Sequence, residues 1–226
     1  MSLELVERKE ADVANLAGDN RMIPFGLPDV YVFNHAHVAH LFAGEDERLT
    51  VLAPFVASGI QAGDHCLCIA EDPDYLELRQ RLGELGVDAK DAWESGQLTG
   101  SPGAPTVGRM TDIFLKVAAE AQEAGRSLIR VIADMTWALG QMPNAERLLE
   151  WEVTYDIAIK PRANFIALCQ YDHTRFNGKT IMYALESHPL CVIGSVVQEN
   201  PFYRDPREVL RELQSEKREG ITKTGL

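Results

Sequence analysis

The chain has 226 residues, 46% of them hydrophobic, and a formal net charge of −12. That length and apolar content fit one domain with a substantial core, or one domain with tails. The acidity, with no lysine/arginine run to interrupt it, excludes a nucleic-acid groove and disfavours an anionic membrane surface. The longest apolar runs, "FIALC" and "LCVIG", are strand length, far short of a bilayer span.

In chain order, residues 1–30 read as an appendage: a charged helix, "LELVERKEADVANLAG", then a Pro/Gly connector, "IPFGLPDV". The start, "MSLELVERKE", has no apolar signal region, which points to a cytoplasmic protein. Residues 31–203 then alternate strand and helix patterns. "HVAHLF" is the first strand, followed by a helix over residues 45–62 that Gly63 closes. "HCLCIA" is a second, buried strand, and "YLELRQRLGEL" a helix ended by Gly86. "DAWESGQLTGSPGAP" is irregular, with one short helix and one short strand. Residues 109–124 form an amphipathic helix with Gly125 just past its end. "SLIRVIA" is a third strand, and Asn144 caps a helix reaching residue 159. "NFIALCQY" is a fourth strand, residues 177–187 a helix, and "LCVIGSVV" a single fifth strand ended by Asn200-Pro201. Residues 204–226 carry a charged terminal helix whose Val209, Leu210 and Leu213 stripe suits docking on the body or a partner. Apolar strands alternating with helices predict an α/β fold, a mostly parallel central sheet with helices on both faces.

Cys66, Cys68, Cys169 and Cys191 all lie in apolar, strand-like runs, as buried reduced thiols do. Ligands of an open parallel sheet bind outside the carboxyl ends of its strands. Those ends deliver His40 and Phe42, then Glu71, then Asp134, Met135 and Trp137, then Tyr171 and His173, with no lysine among them. A phosphate loop needs several glycines, a lysine and a hydroxyl. The corresponding turn here, "AGEDERLT", has one glycine and puts Glu45, Asp46 and Glu47 where phosphate charge would sit. Each carboxylate would oppose a triphosphate by on the order of 1 to 4 kcal/mol at surface-like dielectric.

"HVAHLF", "GDHCLCIAED", "LIRVIADMTWAL", "LLEWEVTYD", "IALCQYD" and "LESHP" occur in one order and spacing that resembles the MEDS domain, the sensory domain of methanogens, methylotrophs and a dichloromethane-responsive repressor. The resemblance spans residues 37–203. It implies a RecA/KaiC-like three-layer sandwich without a working phosphate loop. It also implies a sensing role towards small hydrocarbon derivatives, upstream of a kinase, anti-sigma factor or DNA-binding module. The family's pattern is matched by His37, His40 and Phe42, by Arg130, Asp134 and Trp137, by Glu150 and Glu152, and by Cys169 and Tyr171. No helix-turn-helix, kinase or ATPase module is recognisable, so the output is expected to pass through a separate protein.

Each of these residues also has a plainer reading. His37 and His40, three apart on a strand, face opposite sides; the plain reading is one core histidine and one at the strand's exit, the sharper one a ligand contact from His40. Asp134 either caps the next loop or carries a polar site role. Met135 and Trp137 serve as packing or as the wall of an apolar pocket. Arg130, mid-strand, needs an acidic partner, which Glu150 or Glu152 supplies on the plain reading; the sharper reading is a ligand clamp. Cys169 reads as a core thiol, Tyr171 as pocket or packing. A metal site from His35, His37, His40 and the cysteines is the minor alternative, because no ligand-spacing pair falls on one helix face; neither metal nor other cofactor is expected.

The leading expectation is therefore a non-catalytic domain that binds a small, fairly apolar molecule and signals to a protein partner, with pairing of protomers left open. The alternatives are a ligand-independent adaptor for an anti-sigma factor or kinase, and a divergent NTPase. A hydrolase built on Asp134, His173 and a nucleophile is disfavoured, because no G-x-S-x-G elbow is present and Cys169 lies within a strand.

Overall fold

The computed structural model describes residues 21–70 and 76–223; the expected N-terminal helix and Glu71 lie outside the described residues. A short antiparallel ribbon pairs β1 (Met22–Pro24) with β2 (Tyr31–Phe33). The main sheet contains β3 (His37–Phe42), β4 (His65–Ile69), β5 (Leu98–Ser101), β6 (Ile129–Asp134), β7 (Phe165–Asp172), β8 (Leu190–Ile193) and β9 (Val196–Glu199). Its order is β5-β4-β6-β7-β3-β8-β9, parallel throughout except for the β8–β9 edge pair. The inner strands are buried almost residue for residue, β4 in all its positions and β7 in all but its last, as continuous apolar runs covered on both faces must be.

One face carries α1 (Glu45–Ala62), α2 (Leu76–Glu84) and α3 (Ala89–Glu94), whose apolar residues meet Val38, Cys66, Cys68, Ile132 and Leu168 of the sheet. The other carries α4 (Val107–Glu123), α5 (Trp137–Gln141) and α6 (Ala145–Thr154), packed on Leu67, Val131, Ala167, Cys169 and Tyr171. On that side α7 (Gly178–Ser187) contributes Ala184, and α8 (Pro206–Lys223) docks Val209 and Leu213 on Leu149 and Val153 of α6. The docking stripe read from the terminal helix thus closes on the body.

Local signals set the helix ends. Gly63 takes the left-handed conformation at φ 82° that stops α1. Asn144 and Asn177 accept the backbone N–H of Arg147 and Thr180 to start α6 and α7. After Thr154 the helix widens into a π turn over Tyr155–Ile159 and then tightens into a 3-10 turn, Lys160–Arg162, a distortion common at functional sites.

Two expectations are corrected. "LCVIGSVV" is a hairpin rather than one strand: Gly194, at φ 62°, turns the chain so that Ile193 pairs with Val196. Arg130 does not reach Glu150 or Glu152, because its side chain leaves β6 on the α1 face while α6 lies on the other. Its Nε donates to Asp64 Oδ2 at 2.8 Å, and its terminal nitrogens donate to the carbonyls of Pro24, Phe25 and Phe55. Arg130 therefore ties the connector "IPFGLPDV" to the sheet. Glu150 instead meets Arg147 and Lys217 at 2.5 and 2.7 Å.

Candidate functional site

The turn after β3 is where a phosphate loop of such a domain would sit. Gly44 opens α1 at φ 80°, and the Ala43 N–H donates to Glu47 Oε2 at 2.8 Å, so the chain's own carboxylate occupies an amide at this turn. Arg48, buried one turn into α1, donates to both oxygens of Glu45 at 2.9 and 2.6 Å and to Asp134 Oδ2 at 3.3 Å. The other oxygen of Asp134 accepts from the backbone N–H and hydroxyl of Thr136 at 3.0 and 2.7 Å. Asp134 is both loop cap and ion-pair partner. Arg48 escaped the sequence reading, although its place one residue after the acidic triplet was the available signal.

On the α1 face, His40 is fully buried, with its Nδ1 3.3 Å from Gln170 Nε2 and its ring tilted on Phe42 at 5.3 Å. Burial, with Arg48 beside it, pushes the imidazole down to about 4. The unfolded chain then binds a proton that the native state refuses between that value and the ordinary 6.5. The contribution is therefore fully favourable above about pH 6.5 and is lost as pH falls towards 4. Stability is expected to drop by about 2 kcal/mol between pH 7 and 5 through this residue alone. Urea unfolding of His40→Gln, which cannot titrate, should show that much less loss over the interval, and an unchanged slope would refute the assignment.

On the opposite face a polar cluster is buried between β3, β7 and the helical layer. His37 Nε2 lies 3.4 Å from Glu152 Oε2 and 3.4 Å from Cys169 Sγ, and its Nδ1 faces Asp156 Oδ1 at 3.3 Å. Tyr171 donates to Glu152 Oε1 at 2.5 Å, and Lys160 Nζ meets Asp156 at 2.6 Å. His188, just past α7, packs its ring 3.9 Å from that of His37 and aims Nε2 at Glu152 Oε2, 3.9 Å away. Burial would push His37 down, but Asp156 and Cys169 outweigh it and hold the imidazole well above its usual range. Burial likewise works to raise Glu152, and the neighbouring His188, His37 and Tyr171 overcome it to keep the carboxyl low. The Cys169 thiol is pushed up to about 12 by burial, and His188 down to about 4 by burial and His37. Spacing along single elements gave no sign of a ligand set, yet tertiary structure brings His37, Glu152, Cys169 and His188 within 4.8 Å of one another. His188, Asp156 and Tyr155, whose ring lies 4.8 Å from that of His37, are participants that no local pattern marks, although they fall in the motifs "LESHP" and "LLEWEVTYD".

At the carboxyl ends of β6 and β7 a cavity of about 160 Å³ opens between α5, α6 and α7. Ala138, Leu139, Met142, Leu148 and Phe176 make it apolar, and Asn144, Asn177 and Thr180 supply polar rim groups. Both asparagines spend their carbonyl oxygens on helix caps, which leaves the amide N–H groups as their donors. None of the described residues expected to touch ligand lines it. Met135, just before α5, and Trp137, its first residue, are fully buried. Tyr171 stands behind Phe176, ring centroids 5.5 Å apart. His40, Phe42 and Asp134 belong with the Arg48 turn, and His173 is exposed, its backbone N–H donating to the Phe42 carbonyl. A larger cavity of about 360 Å³ lies away from the strand ends, between the β1–β2 connector and α1.

A mostly parallel seven-stranded sheet between helical layers, with its first strand inside the sheet between β7 and β8, defines an α/β domain of the RecA/KaiC-like class. The fold agrees with that of a KaiC-like protein from the hyperthermophilic archaeon Pyrococcus horikoshii OT3, with a TM-score of 0.53 over 76% of this chain and 80% of that one. The identity is 12%, so the likeness speaks for the fold alone. The model of the MEDS family, the MEthanogen/methylotroph, DcmR Sensory domain, matches residues 36–189. The chain belongs to the MEDS family. It is also 30% identical over 154 residues, 68% of its length, to the transcriptional repressor DcmR of Methylorubrum extorquens. The aligned segment spans 58% of that repressor. The family and this relative support a sensory, regulatory role. Among the described residues, no helix is long and apolar enough to cross a membrane.

Proposed function

We propose that this chain is a non-catalytic sensory domain that takes a small, largely apolar molecule at the ends of β6 and β7 and passes its occupancy to a protein partner of a signalling pathway. The observation that carries the reading is the cavity of about 160 Å³, apolar in its walls with amide donors at its rim. Its size is that of an engineered apolar cavity of ~150 Å³ that admits benzene. Two neighbours on α6 support a relay: Leu148 lines the cavity, while Leu149 packs against Val209 and Leu213 of α8. A shift of α6 on binding would be felt at that terminal helix. Glu47 on the Ala43 amide and Arg48 engaged by Glu45 and Asp134 argue against a triphosphate at the turn after β3.

Thermal-shift screening of small alcohols, haloalkanes and methylated compounds tests the proposal. At least one class is expected to raise the Tm of the wild type, and Leu139→Trp, which plugs the mouth from a half-exposed position, is expected to abolish the shift. Stabilisation by none of them would sink the ligand reading. Micromolar binding of Mg-ATP by calorimetry would overturn the non-catalytic one.

A further inference from the structure

We propose that His37, Glu152, Cys169 and His188 form a closed, four-coordinate site for a borderline divalent transition metal of the zinc type. The site is separate from the ligand cavity and does not depend on the sensory reading. Its four ligand atoms come from β3, α6, β7 and the residue after α7, all buried and all within 4.8 Å of one another. Tetrahedral coordination at 2.0 to 2.3 Å requires ligand atoms about 3.3 to 3.8 Å apart. The observed separations of 3.4 Å for His37–Glu152, 3.4 Å for His37–Cys169 and 3.9 Å for His188–Glu152 stand close to that range.

The groups behind the ligands point the same way. A metal-bound histidine usually directs its second ring nitrogen to a carboxylate or a carbonyl, which fixes the tautomer. His188 Nδ1 lies 2.6 Å from the Ala184 carbonyl oxygen, an acceptor only, so Nδ1 carries the proton and Nε2 presents a lone pair. His37 Nδ1 faces Asp156, itself held by Lys160. Tyr171 occupies one oxygen of Glu152 and leaves the other turned inward. That inward oxygen, Glu152 Oε2, and His188 Nε2 are both buried without a hydrogen-bond partner among the described residues, a costly state for such groups. A bound ion satisfies both.

Charge also closes. One thiolate and one carboxylate neutralise a divalent ion, and Asp156 with Lys160 forms a second neutral pair outside it. As the ion binds, the Cys169 thiol proton and the proton that the imidazolium of His37 holds on Nε2 both leave to solvent, His37 keeping its Nδ1–H towards Asp156; no electron changes hands. The mixed nitrogen, sulfur and oxygen donors favour zinc, cobalt or iron(II) over magnesium or calcium, which take oxygen ligands. With no open position, the ion's role is to tie β3 and β7 to α6 and the end of α7, beside the wall of the ligand cavity.

The full chain, stripped with chelator, should be titrated with Co²⁺ and separately with Zn²⁺. Expected are one ion per chain, the visible bands of tetrahedral cobalt and a near-ultraviolet thiolate-to-cobalt band. Zinc at a hundredfold excess over its Kd should raise the Tm by roughly 5 to 10 °C. Cys169→Ser should lose the charge-transfer band, and His188→Gln the tetrahedral pattern, while Cys191→Ser, a buried thiol outside the cluster, keeps both. Absence of the thiolate band in the wild type, or its survival in Cys169→Ser, overturns the site. The wild-type spectrum decides even if a variant fails to fold.

Discussion

Replacement of Arg130 by methionine is expected to destabilise the fold by about 3 to 5 kcal/mol, the usual cost of removing one partner from a buried ion pair. The guanidinium is fully buried, bonded to Asp64 and to three backbone carbonyls, and lies over the Phe55 ring at 5.0 Å. Methionine matches the stem's volume, so the loss reports the orphaned carboxylate and carbonyls rather than a cavity. Arg130→Lys should recover only part, because one ammonium cannot span donors fanned out to four acceptors. Gly59 belongs to the same argument, since a Cβ there would stand 2.4 Å from Arg130 Cδ. Gly59→Ala should therefore be costly in the wild type and milder in Arg130→Met. Equilibrium urea unfolding measures all of these, and a cost below about 1 kcal/mol for Arg130→Met would place it among exposed pairs and refute the role.

Trp137→Ala is the second large effect, expected at about 3 to 5 kcal/mol for an aromatic truncated in a packed core. The indole is 1% exposed, meets Trp151 at 5.6 Å, and is covered by Gly103, where a Cβ would fall 2.1 Å from the ring. Trp151 donates to the Ala104 carbonyl at 2.8 Å, so the two tryptophans together pin the Gly/Pro-rich loop after β5. The Trp137 N–H has no hydrogen-bond partner among the described residues. Trp137→Phe removes that unsatisfied donor while keeping most of the ring, and should cost less than half as much. Gly103→Ala should destabilise by about 1 to 3 kcal/mol through overpacking. In a Trp137→Ala background most of that should vanish, giving a coupling of about 0.5 to 3 kcal/mol. Additive single effects would show that loop and indole do not share the contact.

Much of the fold was legible because it rests on local chemistry. Continuous apolar runs marked β3, β4, β6 and β7, and the caps at Asn144, Asn177 and Gly63 are short-range hydrogen bonds or backbone conformations. The two-residue period put His37 and His40 on opposite faces, and so they lie. The hairpin at Gly194 was read through as one strand because its flanks are equally apolar. Of the site, individual residues were visible but their partners were not. Arg130 found Asp64 rather than a glutamate of α6, since the face on which a side chain leaves a strand decides which helical layer it meets. Arg48 and Asp134 are 86 positions apart in the chain and pair only through the crossover of α1.

By itself the sequence determined the order of the inner strands and the helices between them, their mostly parallel assembly, and the acidic turn after β3 that lacks a phosphate loop's glycines and lysine, but neither the β1–β2 ribbon nor the β8–β9 hairpin. The tertiary structure alone decided which polar side chains meet. Strand order places β3 between β7 and β8, which carries His37 to Cys169 on one side and to His188 on the other. No local pattern encodes that neighbourhood, because burial fixes each residue's face while only strand pairing fixes who shares it.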